Sequence, residues 1–327
     1  MNKRVLITGA NGFIGYHLLT RCIIEGYKVV AATRASSDVG HLRGLPLRFV
    51  HPEYEDERML KKMLLDERID YIVHAAGITR AKNSNEYNRV NATYTRHLAR
   101  ASCESGVSKF VFLSSLAALG PIGYDDEHPI TEDKRPSPVT AYGKSKLLAE
   151  QYIGEIPLPQ QIILRPTAVY GPREKDLFIL FKTLARRIEP YIGRGKQWLS
   201  FIHADDVASV VIQALHTDIS GIYNLSDGGR YDKYELSASI KRELGSKALR
   251  IHFPMSIARI IAAALEQLYK NNDKAPTFNR EKIAELTAQN WHCSIDRVRT
   301  QLGFEPKYNL YSGIVETVQW YKKNNWL

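Results

Sequence analysis

The β-branched apolar run Val5-Leu6-Ile7-Thr8 stops at Gly9, and two more glycines, Gly12 and Gly15, follow at intervals of three. An apolar pattern at helical spacing then runs through Ile14, Leu18, Leu19 and Ile23. A buried strand turning sharply into a helix has this form, and no other stretch limits the fold as much. Glycines let a bulky anion approach the backbone, and a helix N-terminus meets it with free N–H groups and positive partial charge. The loop residues Gly9, Asn11, Gly12, Phe13, Ile14 and Gly15 are therefore expected to seat the pyrophosphate of a dinucleotide. Glycines also serve ordinary turns, so the rest of the chain has to decide.

Strand and helix patterns alternate from this point. The strand candidates are Arg4–Thr8, Lys28–Thr33, Leu47–Val50, Tyr71–His74, Lys109–Ser114 and Gln161–Arg165. Between them lie helical patterns at Ile14–Glu25, Arg58–Asp66, Tyr87–Ser105 and Ala141–Ile153. Short apolar strands alternating with helices predict an α/β fold, a parallel sheet covered on both faces. After Arg165 the rhythm gives way to longer helices, Gly- and Pro-rich loops and scattered aromatics. The expected division is a dinucleotide-binding domain over 1–165, with 204–225 returning to its sheet, and a substrate lobe from 166–203 and 226–327. Ligands of open α/β sheets bind at the carboxyl ends of the strands, where such a lobe would close.

Composition removes several classes. The net charge of +10 is dispersed, with basic residues at most in pairs and acidic stretches between them. No basic stripe with aromatics is present, so a nucleic-acid partner is not expected. Cys22, Cys103 and Cys293 lie far apart and match neither a metal nor a disulfide spacing; the two in helical patterns, Cys22 and Cys103, are expected to be buried thiols. The apolar run Ile257–Leu268 is too short to span a bilayer and is interrupted by Arg259 and Glu266, leaving at most a peripheral membrane contact. The first strand begins almost at once, with no room for a signal peptide, and a cytoplasmic enzyme is the expectation.

The end of the second strand selects the dinucleotide. An acidic residue there would bond the adenosine ribose hydroxyls of NAD. Here the strand runs Val29-Val30-Ala31-Ala32-Thr33 into Arg34, with Ala35-Ser36-Ser37 beyond. An arginine fork suits the oxygens of a 2′-phosphate, so NADP(H) is expected over NAD(H). Ala75, Ala76 and Gly77 close the fourth strand with side chains small enough for a ring to lie flat, and Glu53-Tyr54 can border the adenine.

The reactive residues follow. Thr140 can cap a helix beginning Ala141-Tyr142-Gly143-Lys144-Ser145-Lys146, in which Tyr142 and Lys146 share one face. A free tyrosine titrates at about 10, too high for neutral-pH acid–base work. The Lys146 ammonium, an oxidised nicotinamide and the helix N-terminus would each favour the phenolate. Tyr142 can then exchange a proton with a substrate oxygen, while Lys146 reaches the nicotinamide ribose. The fifth strand ends in Ser114-Ser115, either of which can hydrogen-bond a substrate carbonyl.

Taken together these motifs resemble the extended short-chain dehydrogenase/reductases, the branch with nucleotide-sugar epimerases, dihydroflavonol reductases and 3β-hydroxysteroid dehydrogenases. The resemblance continues through Arg165-Pro166-Thr167-Ala168-Val169-Tyr170-Gly171-Pro172, Phe201-Ile202-His203-Ala204-Asp205-Asp206-Val207 and Trp320-Tyr321. It implies a Rossmann-type doubly wound sheet with a smaller, mostly helical C-terminal substrate lobe. It also implies a catalytic set of Ser115, Tyr142 and Lys146, with Ser115 the better match of the two serines by its distance from Gly120. Asn91 resembles a recurrent asparagine of these enzymes. Homodimers form in the family by pairing the helices that correspond to Tyr87–Ser105 and Ala141–Ile153.

Departures from the family pattern narrow the substrate. Nucleotide-sugar enzymes of this branch carry an asparagine where this chain has Ala168, and Arg-Asp where it has Leu199-Ser200. Losing such donors is serious for a dianionic ligand. The 4,6-dehydratases place an acid soon after the catalytic hydroxyl, whereas Leu116-Ala117-Ala118 supplies none. The remaining motifs look more like the hydroxysteroid dehydrogenase and dihydroflavonol reductase side, which acts on hydrophobic or phenolic alcohols and ketones. Phe178, Phe181, Trp198 and the helix Ile257–Leu268 either line a pocket or form the core of the lobe. The leading expectation is an NADP-dependent interconversion of a secondary alcohol and a ketone. The alternatives are an epimerase with tightly held cofactor and a non-catalytic cofactor-binding regulator.

Overall fold

The computed structural model describes residues 3–269, 276 and 278–327. Its first half runs β1 (Arg4–Thr8), α1 (Phe13–Ile24), β2 (Lys28–Ala32), β3 (Leu47–Val50), α2 (Glu57–Asp66) and β4 (Tyr71–His74). Next come α3 (Ser84–Tyr87), a π-helical turn over Asn88–Thr93, α4 (Tyr94–Glu104), β5 (Lys109–Leu113) and α5 (Ala141–Gly154). Then follow β6 (Gln161–Pro166), β7 (Ala168–Tyr170), α6 (Phe178–Ala185), β8 (Ile188–Ile192), β9 (Trp198–Leu199) and β10 (Phe201–His203). The chain continues as α7 (Ala204–His216), β11 (Gly221–Leu225), β12 (Tyr231–Asp232), α8 (Glu235–Leu244) and β13 (Leu249–Phe253). Helices α9 (Met255–Leu268), α10 (Arg280–Thr287), α11 (Asp296–Leu302) and α12 (Leu310–Lys323) complete it.

Seven parallel strands form the central sheet in the order β11-β6-β5-β4-β1-β2-β3. This is the Rossmann-type doubly wound arrangement. Alternation along each strand fills both faces: Val5 and Ile7 pack under α1 and α7, and Leu6 packs toward α2, α4 and α5. The strand order reverses between β1 and β4, which opens a crevice at their carboxyl ends.

Beyond β6 the chain leaves the sheet except for β11. The parallel pairs β7–β10 and β8–β13 and the antiparallel pair β9–β12 are small separate ladders. They carry a helical region with its own core, in which Phe181, Leu184, Leu310, Ile314 and Tyr321 are buried. Phe181 and Phe178 pack on Tyr321, with Phe178 also on Trp326, so both belong to this core and not to a pocket. Trp198 instead stacks on Tyr124.

Two expectations need correction. The pattern over Tyr87–Ser105 predicts one continuous helix, but the π-helical turn at Asn88–Thr93 divides it. Asn91 lies within this turn. It is fully buried, with Nδ2 donating to the Ile78 carbonyl and to Ser145 Oγ, both at 3.0 Å, while its Oδ1 accepts the Ile78 N–H. Second, Cys103 is only partly buried, its thiol directed at the Pro157 carbonyl, whereas Cys22 is enclosed as expected.

Candidate active site

The three glycines of the β1–α1 turn have different reasons to be glycine. Gly9 has φ +67°, and a Cβ there would lie 2.9 Å from the Ala75 and Ala76 backbone. A Cβ on Gly15 would lie 2.1 Å from the Gly9 carbonyl, so the first turn of α1 rests directly on the loop. Gly12 is the N-cap, and no side chain caps the helix or places an acid in its first turn. The end of α1 is thus left with the free donors and positive potential that a phosphate needs.

Beside it, β1 and β4 are tied at their carboxyl ends. Thr95 Oγ1 donates to the Asn91 carbonyl, so His74 Nε2–H donates to Thr95 at 2.8 Å, and His74 Nδ1 accepts from Thr8 Oγ1 at 2.7 Å. His74 is therefore neutral, consistent with burial holding its pKa down to about 3, with Lys146 acting in the same direction. Thr8 Oγ1 also accepts the Ala76 N–H at 3.0 Å, which fixes Ala75-Ala76-Gly77 against the glycine loop. A Cβ on Gly77 would sit 3.1 Å from Asn91 Oδ1 and 3.4 Å from Lys146 Nζ. The small residues expected to lie under a ring stand in one row.

Helix α5 is capped as expected, Thr140 Oγ1 accepting the Gly143 N–H at 3.0 Å. Lys146 is buried, its ammonium donating to the Leu113 carbonyl at 2.7 Å and lying 4.7 Å from the Phe112 ring centre. Burial lowers its pKa to about 8, against an opposing pull from Glu150. The two serines separate clearly. Ser114 donates to Glu150, whose carboxylate also holds Arg165 through Nε and Nη2 in a buried pair. Ser115 caps a short 3₁₀ turn over Leu116–Ala118, and its hydroxyl faces the Tyr142 phenol.

The phenol itself departs from the expectation of a lowered pKa. Burial pushes Tyr142 up to about 12; Ser115 acts to lower it, and Glu285 acts to raise it. Counting neighbouring charges alone missed the desolvation cost, which falls on the charged form and here exceeds the favourable contacts. The edge of Tyr87 packs on the Tyr142 ring at 6.2 Å between centres.

Two site groups carry no motif in the sequence. Glu281 and Glu285 lie on α10; Glu281 accepts the Ala141 N–H at 2.7 Å, and Glu285 is the carboxylate that acts on Tyr142. On sequence alone they read as solvated helix charges. At the opposite end, Arg34 is exposed just past β2 and makes no side-chain bond among the described residues. The nearest following carboxylate, Asp38, accepts the Gly40 N–H. Tyr54 stacks on Tyr94 at 5.7 Å near the ends of β3 and α4. Among the described residues no group of three or more His, Cys, Asp or Glu side chains is placed to hold a metal ion. None of the described helices is long and apolar enough to cross a membrane.

These features fit a nicotinamide dinucleotide: an uncapped helix N-terminus for the pyrophosphate, a row of small residues, and a buried ammonium beside Gly77. They define an NAD(P)-dependent enzyme of the extended short-chain dehydrogenase/reductase class. More particularly, the chain belongs to the NAD dependent epimerase/dehydratase family, whose family model matches residues 5–226. A ceramide reductase of Caulobacter vibrioides is 28% identical, over 99% of this chain and 96% of that one. A decarboxylating sterol-4-alpha-carboxylate 3-dehydrogenase of Dictyostelium discoideum is 26% identical, over 96% and 99%. The fold is shared with the UDP-glucose 4-epimerase of Thermotoga maritima solved with UDP-glucose, at TM-score 0.81, 22% identity and coverage of 98% and 99%.

Proposed function

We propose that the protein is an NADP(H)-preferring oxidoreductase that interconverts a secondary alcohol and a ketone on an apolar substrate. The observation that carries this reading is the grouping of Tyr142, Ser115 and Lys146 at the edge where β4 and β5 end. The nicotinamide, when bound, supplies or accepts the hydride. Ser115 holds the substrate oxygen by a hydrogen bond, and Tyr142 gives that oxygen its proton or takes it away. Lys146 has spent one of its three donors on Leu113 and keeps the others for the ribose hydroxyls.

Arg34 supports the choice of cofactor, since β2 runs through Thr33 directly into an exposed arginine and not into a carboxylate. The substrate class rests on two relatives named for lipid substrates, and on Ala168 and Leu199 standing where sugar-nucleotide enzymes place polar donors. The test is turnover of NADPH by the purified enzyme with a long-chain ketone and, separately, with UDP-glucose. Oxidation of NADPH only with the ketone is expected. A retained nicotinamide with epimerised sugar and no net cofactor turnover would overturn the proposal. Arg34→Ala is expected to weaken NADPH binding about tenfold, the scale of a lost charge-assisted phosphate contact, and to leave NADH nearly unchanged. Pairing of α4 and α5 from two chains would make a homodimer, which light scattering tests.

A further inference from the structure

Helix α9 is built inside out. Ala258 and Ala262 are its buried residues, packed with Ile283 of α10, while its large branched side chains face outward. Ile257, Ile260, Ile261, Ala264 and Leu268 follow the spacing i, i+3, i+4, i+7 and i+11, which places them on one face. Ile260 is 68% and Leu268 73% exposed, with Ile257 at 44% and Ile261 at 45%. Leu249 and Phe253 of β13, the strand leading into α9, are exposed as well. A soluble helix of ordinary design turns such a stripe toward a core.

We infer that this face is a docking surface for an anionic lipid bilayer. Charge supplies the first argument. Arg187, Lys247 and Arg259 are exposed on α9 and the elements around it, in a chain of net charge +10, while Arg280 is paired with Glu266 of α9. An apolar helical stripe flanked by arginine and lysine is the pattern of a helix lying in a headgroup layer, and basic groups beside it favour anionic lipid.

Continuity with the active site is the second argument. Between α9 and α10 lies a groove of about 470 Å³, lined by Met255, Arg259, Ile260, Ala263, Ile283 and Thr287. Its far wall, α10, is the helix whose Glu281 accepts the Ala141 N–H at 2.7 Å and whose Glu285 acts on the Tyr142 phenol. One short helix therefore separates the outward apolar face from the reacting groups. A protein partner has no need of such a groove, whereas an amphiphile leaving a bilayer does. The docking stands on α9 alone; the delivery of substrate through the groove rests on the proposed function.

The experiment is vesicle co-sedimentation of the full chain, using phosphatidylcholine alone and phosphatidylcholine with added phosphatidylglycerol. The wild type is expected to sediment with the anionic vesicles. The Ile257→Glu/Ile261→Glu variant is expected to partition at least about tenfold less, because its charges replace buried methyl groups. NADPH binding and thermal melting like the wild type show that the variant folds. Wild type left in the supernatant, or a variant that sediments equally well, overturns the docking. A solution mass that halves in the variant also overturns it, because the face would then join two copies of the chain. Turnover is read separately: the variant should lose activity on a vesicle-borne ketone and keep it on a short water-soluble one. If the wild type consumes neither ketone, the proposed function fails, and sedimentation still decides the docking.

Discussion

Beneath Tyr142 the chain is closed. Lys146, Glu150, Arg165, Ser114 and His74 are all buried, and each is bonded to a neighbour in the sheet or on α5. Above Tyr142 it is open: Glu285 acts on the phenol and Glu281 bonds the neighbouring Ala141 N–H, both from α10, which packs on α9 with its branched face exposed. The same phenol is thus held from below by a network with few alternatives and from above by one short surface helix. The groups bonded into the sheet and α5 stand where packing determines their geometry, and the carboxylates of α10 stand on an element with little to hold it.

The largest test of this contrast is Tyr142→Phe. With Tyr142 in the acid–base role proposed above, its loss should lower kcat by about 10²–10⁴-fold. Under the same proposal cofactor affinity depends on the sheet edge below, and NADPH binding should stay within about twofold of wild type by fluorescence titration. If affinity falls with kcat, the two regions are not separable.

Next is Glu150→Ala against Glu281→Ala. The first leaves the Arg165 guanidinium buried without its carboxylate, and urea unfolding should show a loss of about 3–5 kcal/mol. Glu281→Ala removes one bond to a helix N-terminus and should cost about 1 kcal/mol. Equal losses would abolish the distinction. Gly15→Ala lies between them: its Cβ meets the Gly9 carbonyl, and the overpacking should cost about 1–3 kcal/mol and weaken cofactor binding.

The smallest expected effect is a pH shift. A carboxylate near the phenol disfavours phenolate and raises its pKa, so Glu285→Gln removes a raising influence. The alkaline rise of alcohol oxidation should move to lower pH in this variant. Glu281→Gln should leave the profile in place, since Glu285 and not Glu281 is the carboxylate that acts on the phenol.

The closed region was also the legible one. Strands β1, β4 and β5 are buried on both faces and so appear as apolar runs, and the glycine turn and the Thr140 cap follow from local geometry. Even there, choosing Ser115 over Ser114 from the residues alone fails, because the choice depends on which side of β5 faces the Glu150 carboxylate. Glu150 left a usable signal: it lies four residues beyond Lys146, one turn further along α5. Glu281 and Glu285 left none. Their spacing is that of any solvated helix, and only the fold brings α10, some 140 residues along the chain, to Ala141.

The π-helical turn sets a rotational phase. Tyr87 touches Tyr142, Asn91 holds Ile78 and Ser145, and Thr95 holds His74, at steps of four residues along one rod. In an uninterrupted α-helix, eight residues would leave Tyr87 and Thr95 about 80° apart around the axis. The wide turn absorbs about one residue, or some 100°, and brings the two ends back to within about 20° of each other. The segment works as a camshaft with three lobes cut on one line. Shortening it by a residue would keep the outer two in line and turn the middle one away, so Asn91 is the part of the site that this irregular turn exists to aim.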